Sequence, residues 1–262
     1  MKKFLFLFLF LFLIPSFSIA TAASPDEKVV DHLLSTSVTV SAPDGTGSGA
    51  VILRGDRAYI LTAAHVVAAC KKTTTLPLFS LTSTSWSELK VYQERLEEGD
   101  RVVRIEWICE VVRYNNADSG EDLAVLLVKK KSPPGLKSST NFYLDKKIPR
   151  IGLDLFHVGS PTGDGGSNSF IPATLSAHGR KLYGKNYDQI TCPTTFGSSG
   201  GLVALSDGRY IGMLQRKYPD SGQCLIKPIR EIRKWGSKVG VEFLFDPTKP
   251  ESDLRSKPIE DN

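Results

Sequence analysis

Several features are scarce or missing from this sequence, and each absence removes a class of function. No two of the four cysteines (Cys70, Cys109, Cys192 and Cys224) lie within a few residues of each other, which excludes the paired-ligand spacing of a zinc site. The four histidines form no His/Glu pair at the helical spacing of a metallohydrolase. Past Ile14 no stretch is apolar enough to cross a membrane as a helix. Charge of one sign is also lacking. The formal charge is +5, and Lys2 and Lys3 belong to an N-terminal segment without acids, so the rest carries 5 − 2 = +3. Its basic residues are spread along the chain, so nucleic acid is not an expected partner. There is no short-period repeat and no low-complexity segment beyond the N-terminus.

The N-terminus itself is informative. Lys2 and Lys3 precede an apolar run from Phe4 to Ile14, and the small residues Ala20, Thr21, Ala22 and Ala23 follow. That order is a secretory signal peptide, expected over 1–23 with cleavage after Ala22 or Ala23. A run of about 11 residues is too short for the roughly 20 of a membrane-spanning helix, and no cysteine near the cleavage point offers a lipid anchor. An even cysteine count in an exported chain implies two disulfides, with three pairings open.

About 240 residues remain, enough for one large domain or two small ones. A charged lead-in over 24–36, with a helical turn at Asp31–Leu34, comes before short β-like runs separated by turns such as Asp44-Gly45 and Gly55-Asp56. Lys129–Ser139, with Pro133-Pro134-Gly135 inside it, reads as a linker between two β-rich halves, 24–135 and 136–245. Helix is expected only over Ala63–Cys70 and Pro228–Val239, where Ile229, Ile232 and Trp235 share a face and Gly240 provides the stop. Residues 246–262 hold three prolines and no apolar face, so they read as a loose tail.

Three local patterns carry chemistry. His65 lies where a strand runs into a short helix, in Leu61-Thr62-Ala63-Ala64-His65. Asp122 stands at the mouth of the apolar run Leu123–Leu127. Ser199 is framed by glycines in Phe196-Gly197-Ser198-Ser199-Gly200-Gly201. Taken singly, each has a plain structural reading: a packed histidine, a strand-capping acid, a flexible loop. Together they supply what acyl transfer needs, a hydroxyl, a base for its proton and an acid that orients the base. Asp118 and Glu121 are nearby acids, and Ser198 is a neighbouring hydroxyl. The buried strand from Leu123 favours Asp122, and the glycine frame favours Ser199. Gly197 and Ser199 offer backbone N–H groups for an oxyanion hole.

In the order His, Asp, Ser and in these motifs, residues 37–240 resemble a trypsin-like serine protease. The segments Gly47–Leu53, Ile60–Val67, Val158–Gly163, Ser176–Arg180 and Asp207–Gly212 are similar to the bacterial HtrA-like branch. The resemblance implies an all-β fold of two Greek-key six-stranded barrels with a C-terminal helix, and a secreted endopeptidase acting on proteins or peptides. No cofactor and no membrane anchor are expected. HtrA proteins carry PDZ domains after the protease, whereas 22 residues follow Gly240, so a stand-alone module is expected.

The resemblance also places a substrate pocket at Pro193, Thr194, Gln215 and Lys217. It implies a Cys192–Cys224 bridge beside that pocket, which leaves Cys70 to Cys109. Two departures matter. Pro193 stands where trypsin has its pocket acid, so Lys or Arg preference is not implied. Ser198 stands where trypsin has the acid that pairs with a newly cut N-terminus, so that activation switch is missing. The basic Arg216 and Lys217 near the pocket either favour an acidic substrate side chain or point to solvent. His32, His157 and His178 are read as structural. The rival readings are a binding module of the same fold with a collapsed oxyanion loop, and an esterase using the same three residues.

Overall fold

The computed structural model describes residues 25–76, 81–97, 101–118, 120–218, 221–254 and 258–260. The expected signal segment lies outside them. Short β-branched and apolar runs become strands, and turn residues set their spacing. Helix α1 (Glu27–Ser35) extends the single turn expected there, capped by the Asp26 side chain, which accepts from Lys28 N at 2.8 Å.

Strands β1 (Ser37–Ala42), β2 (Gly45–Arg54) and β3 (Arg57–Thr62) follow as tight hairpins. Next comes a separate two-stranded hairpin, β4 (Lys71–Leu76) with β5 (Leu81–Trp86). Sequence reading misses this hairpin because threonine and serine replace the apolar alternation. Strands β6 (Leu89–Glu97), β7 (Arg101–Asn115) and β8 (Leu123–Val128) complete a closed barrel in the order β1-β2-β3-β8-β7-β6. β8 is buried at every position, which explains its unbroken apolar sequence.

The second barrel contains β9 (Asp154–Gly159), β10 (Ser169–Leu182), β11 (Lys185–Thr191), β12 (Leu202–Leu205), β13 (Tyr210–Lys217) and β14 (Gln223–Pro228). It closes in the order β10-β11-β14-β13-β12-β9. This is the chymotrypsin-like architecture. Helix α2 (Ile229–Val239) follows, burying Ile232, Trp235 and Val239 and ending at Gly240 with φ 77°.

The connector between the barrels is pinned to both. Thr140 N donates to Val51 O at 2.8 Å and Tyr143 N to Tyr210 O at 2.9 Å. The tail expected to be loose is docked where it is described. Arg113 Nη1 donates to Leu254 O at 2.9 Å, Tyr114 N donates to Ile259 O at 2.8 Å, and Lys71 pairs with Glu260 at 2.7 Å. Leu254 supplies the apolar anchor, 5% exposed.

Candidate active site

β3 delivers its last residue, Thr62, to the barrel rim, where Thr62 Oγ1 donates to Ser48 O at 2.7 Å. The chain then turns through the fully buried Ala63 and Ala64 into a short 3-10 helix, Ala64–Cys70, with His65 in its first turn. Asp122 enters from the mouth of β8, 1% exposed and in the left-handed backbone region at φ 57°. Its carboxylate accepts the His65 backbone N–H at 3.0 Å and meets His65 Nδ1 at 2.9 and 3.1 Å. A carboxylate only accepts, so the ring proton sits on Nδ1 and the Nε2 lone pair is left facing out.

A non-glycine residue with positive φ needs restraint. Gln215 provides it: its Nε2 donates to Asp122 O at 2.6 Å and to Glu121 O at 3.2 Å. The Glu121 side chain turns away from His65. It forms an ion pair with Lys227, which is 0% exposed on β14, and lies 3.4 Å from Lys185. Burial alone raises the Glu121 pKa, but these two ammonium groups outweigh it and the net direction is down. Glu121 is therefore a strut across the barrels, and among the described residues Asp122 is the one carboxylate that meets the histidine.

Ser199 is seated against the first barrel by its backbone. Ser48 N donates to Ser199 O at 2.8 Å, and Gly200 N donates to Leu214 O at 2.8 Å. A Cβ on Gly47 would strike Val66, the neighbour of His65, and would lie 3.1 Å from Ser199 O. The glycine at 47 thus lets the Ser199 segment approach the His65 helix. Among the described residues no hydrogen bond joins Ser199 Oγ to the His65 ring. Such bonds are often long before substrate binds.

The loop before Ser199 is fixed by its backbone. Phe196 O accepts from Thr162 N at 2.7 Å. In a planar trans peptide the C=O and the following N–H point in opposite directions, so this bond turns the Gly197 N–H away from Thr162. Gly197 has φ 92°, and a Cβ there would lie 2.2 Å from Ser160 O, so only glycine fits. Ser48, 0% exposed, fixes the far side: its Oγ donates to Gly197 O at 2.7 Å and accepts from Ser160 N at 2.8 Å. Neither Gly197 N nor Ser199 N donates to another described backbone group.

The expected pocket residues divide. Pro193 is exposed, and Thr194 is buried with its hydroxyl on Ser198 Oγ. Gln215 braces Asp122 by its amide, and Lys217 is exposed. Phe196, next to Gly197, is 92% exposed. All four cysteines are buried free thiols here, so neither expected disulfide is formed. Cys192 and Cys224 are neighbours, with Cys224 Sγ 3.6 Å from Cys192 O.

The other histidines have structural surroundings. His157 is fully buried, donates its Nδ1–H to Leu202 O at 3.0 Å, and has its pKa pushed down to about 4 by burial. His178 lies between Asp188 (3.0 Å) and Pro149 O (2.7 Å). Sequence reasoning missed Ser48, Thr162 and Lys227. The glycines flanking Ser48 were the available signal of close backbone approach. Nothing local marks Lys227, whose partner lies on the other barrel.

The sequence profile described as "Trypsin-like peptidase domain" matches residues 47–213, more than half of the chain. No curated protein matches it in sequence. Solved structures share the fold. The chain is similar to Rv3671c from M. tuberculosis in an inactive form, at 22% identity, covering 88% of this chain and 99% of that one with a TM-score of 0.58. It is similar to the serine endoprotease from Yersinia pestis at 20% identity, covering 87% and 69% with a TM-score of 0.59. It is also similar to Deg5 at 22% identity, covering 79% and 90% with a TM-score of 0.55.

Proposed function

The chain belongs to the trypsin-like peptidase domain family, and on that footing we propose that it is an exported serine endopeptidase with Ser199 as nucleophile, His65 as base and Asp122 as the acid that orients it. Ser199 Oγ attacks a peptide carbonyl while its proton passes to His65 Nε2. Asp122 holds the resulting imidazolium through Nδ1–H. The N–H groups of Gly197 and Ser199 receive the developing oxyanion. His65 then gives its proton to the departing amine, and water releases the acyl group from Ser199.

The observation that carries this reading is the hydrogen bond from Thr162 N to Phe196 O. It supports an open oxyanion hole over a collapsed one, and so favours an enzyme over a binding module. Export removes residues up to Ala22 or Ala23 and brings the adjacent Cys192 and Cys224 into an oxidising compartment, where they form a bridge beside the pocket. Cys70 and Cys109 form the second bridge.

A fluorophosphonate probe tests the assignment. Incubation of the mature protein gives a single adduct on Ser199, and Ser199→Ala abolishes labelling without changing thermal unfolding. No adduct, or an adduct that survives Ser199→Ala, overturns it. Cleavage of peptide bonds in protein substrates separates the endopeptidase from an esterase, which leaves them intact.

A further inference from the structure

Most cations close to the site have a carboxylate partner. Lys185 and Lys227 share Glu121, and Arg230 lies on Asp188 at 2.6 Å. Arg216 and Lys217 are different. Among the described residues neither forms an ion pair, and Arg216 Nε is buried without an acceptor. The Arg216 side chain does not simply extend into water. It is half-buried, with Cζ 5.7 Å from the ring centroid of the exposed Tyr183. It also lies beside the hydroxyl of Tyr187, whose pKa burial raises and Arg216 partly opposes. A guanidinium stacked on an aromatic face and lacking an anion is a preorganised carboxylate receptor.

Its place in the fold points it at substrate. β12 pairs with β13 only as far as Met213, opposite Leu202. Beyond that, Leu214 binds the nucleophile segment through Gly200 N and Gly201 O, at 2.8 and 3.0 Å. Arg216 and Lys217 pair with β14 on one side only, opposite Leu225 and Cys224. Among the described residues no strand pairs with their other edge, which is free to take an extended peptide. The departing amine must lie under His65, on the first barrel, to receive its proton. The acyl side of the substrate therefore runs over β13.

We propose that Arg216 reads an acidic side chain on the acyl side of the substrate, which makes acidic segments the preferred substrate class of this site. The inference rests on the endopeptidase reading above. Arg216 is two residues beyond Leu214, about 7 Å along the strand, so the acid lies about two to four residues before the cleaved bond. Opposite charges across a strand pair reinforce each other on one face of the sheet. Lys217, exposed next in line, adds a longer-range attraction for an acidic segment.

The test uses the mature protein and a peptide library with Glu, Gln or Lys at each of the four positions before the cleaved bond. One Glu position is cleaved with kcat/KM about 10-fold or more above its Gln counterpart, the effect of one charge-assisted hydrogen bond. Raising salt narrows that ratio. Arg216→Gln brings it close to 1, Arg216→Lys keeps part of it, and Arg216→Glu turns the preference toward Lys. Lys90→Gln, far from the site, leaves the ratio as it was. If peptides are cleaved and Ser199 is labelled, yet no acidic preference exists or it survives Arg216→Gln, the Arg216 assignment is overturned while the endopeptidase reading stands. Absence of both cleavage and labelling overturns the two together.

Discussion

The Glu121–Lys227 strut makes an asymmetric prediction about stability. Its two ends are not equally buried. Lys227 is 0% exposed with Nζ 4.9 Å from the Tyr187 ring centroid, whereas the Glu121 side chain is 32% exposed and keeps Lys185 at 3.4 Å. Glu121→Gln leaves an ammonium group buried without a counter-charge, which costs about 3–5 kcal/mol. Lys227→Met removes the buried charge and keeps most of its volume, and the half-solvated Glu121 loses about 1 kcal/mol or less. The gap of about 2 kcal/mol or more is roughly 30-fold in the folded-to-unfolded ratio. The double variant recovers most of what Glu121→Gln loses, because no uncompensated charge remains. Urea unfolding at pH 7, with the slope checked for constancy across variants, measures all three. If Lys227→Met proves as destabilising as Glu121→Gln, the reasoning that the lysine is the costly buried charge fails.

Two further outcomes follow from buried groups near Ser199. Ser48→Ala strands the buried Ser160 N–H and Gly197 C=O; fluorophosphonate labelling of Ser199 slows about 10- to 100-fold, and a variant that is only less stable, with labelling at the wild-type rate, refutes a positioning role. His157 is held near pKa 4 against an ordinary 6.5, so the unfolded chain takes up the proton first. Its stabilisation is complete above pH 6.5, is lost as pH falls to about 4, and amounts to about 3 kcal/mol; urea titrations of His157→Gln show a flatter profile across that window. The lowered Glu121 and Asp188 add a separate loss at lower pH, through the carboxylate range.

Much of this architecture was legible in the sequence because it rests on local rules. The turns at Asp44-Gly45 and Gly55-Asp56, the buried run of β8, and the Pro228 and Gly240 bounds of α2 are short-range signals. So are the three motifs around His65, Asp122 and Ser199. What escaped depends on contacts between distant segments. The β4–β5 hairpin lacks apolar alternation. The tail lacks an apolar face, yet docks through backbone carbonyls and one leucine. Gln215, expected in the pocket, holds the backbone of Asp122, since a strand residue's direction depends on the bulge at Leu214/Arg216. The cysteine pairings came from resemblance, and in this structure the thiols are free.

Arg113, 2% exposed in β7, receives its carbonyl acceptors from Val112 next door, from Val239 at 2.9 Å and from Leu254 at 2.9 Å. Two of those acceptors are made more than a hundred residues after the arginine itself. The barrel that bears His65 and Asp122 therefore takes two of this buried cation's acceptors from residues that follow the second barrel. Its packing is completed only once residues beyond the segment that bears Ser199 have been made. That dependence ties the folding of the first barrel to the region around Leu254.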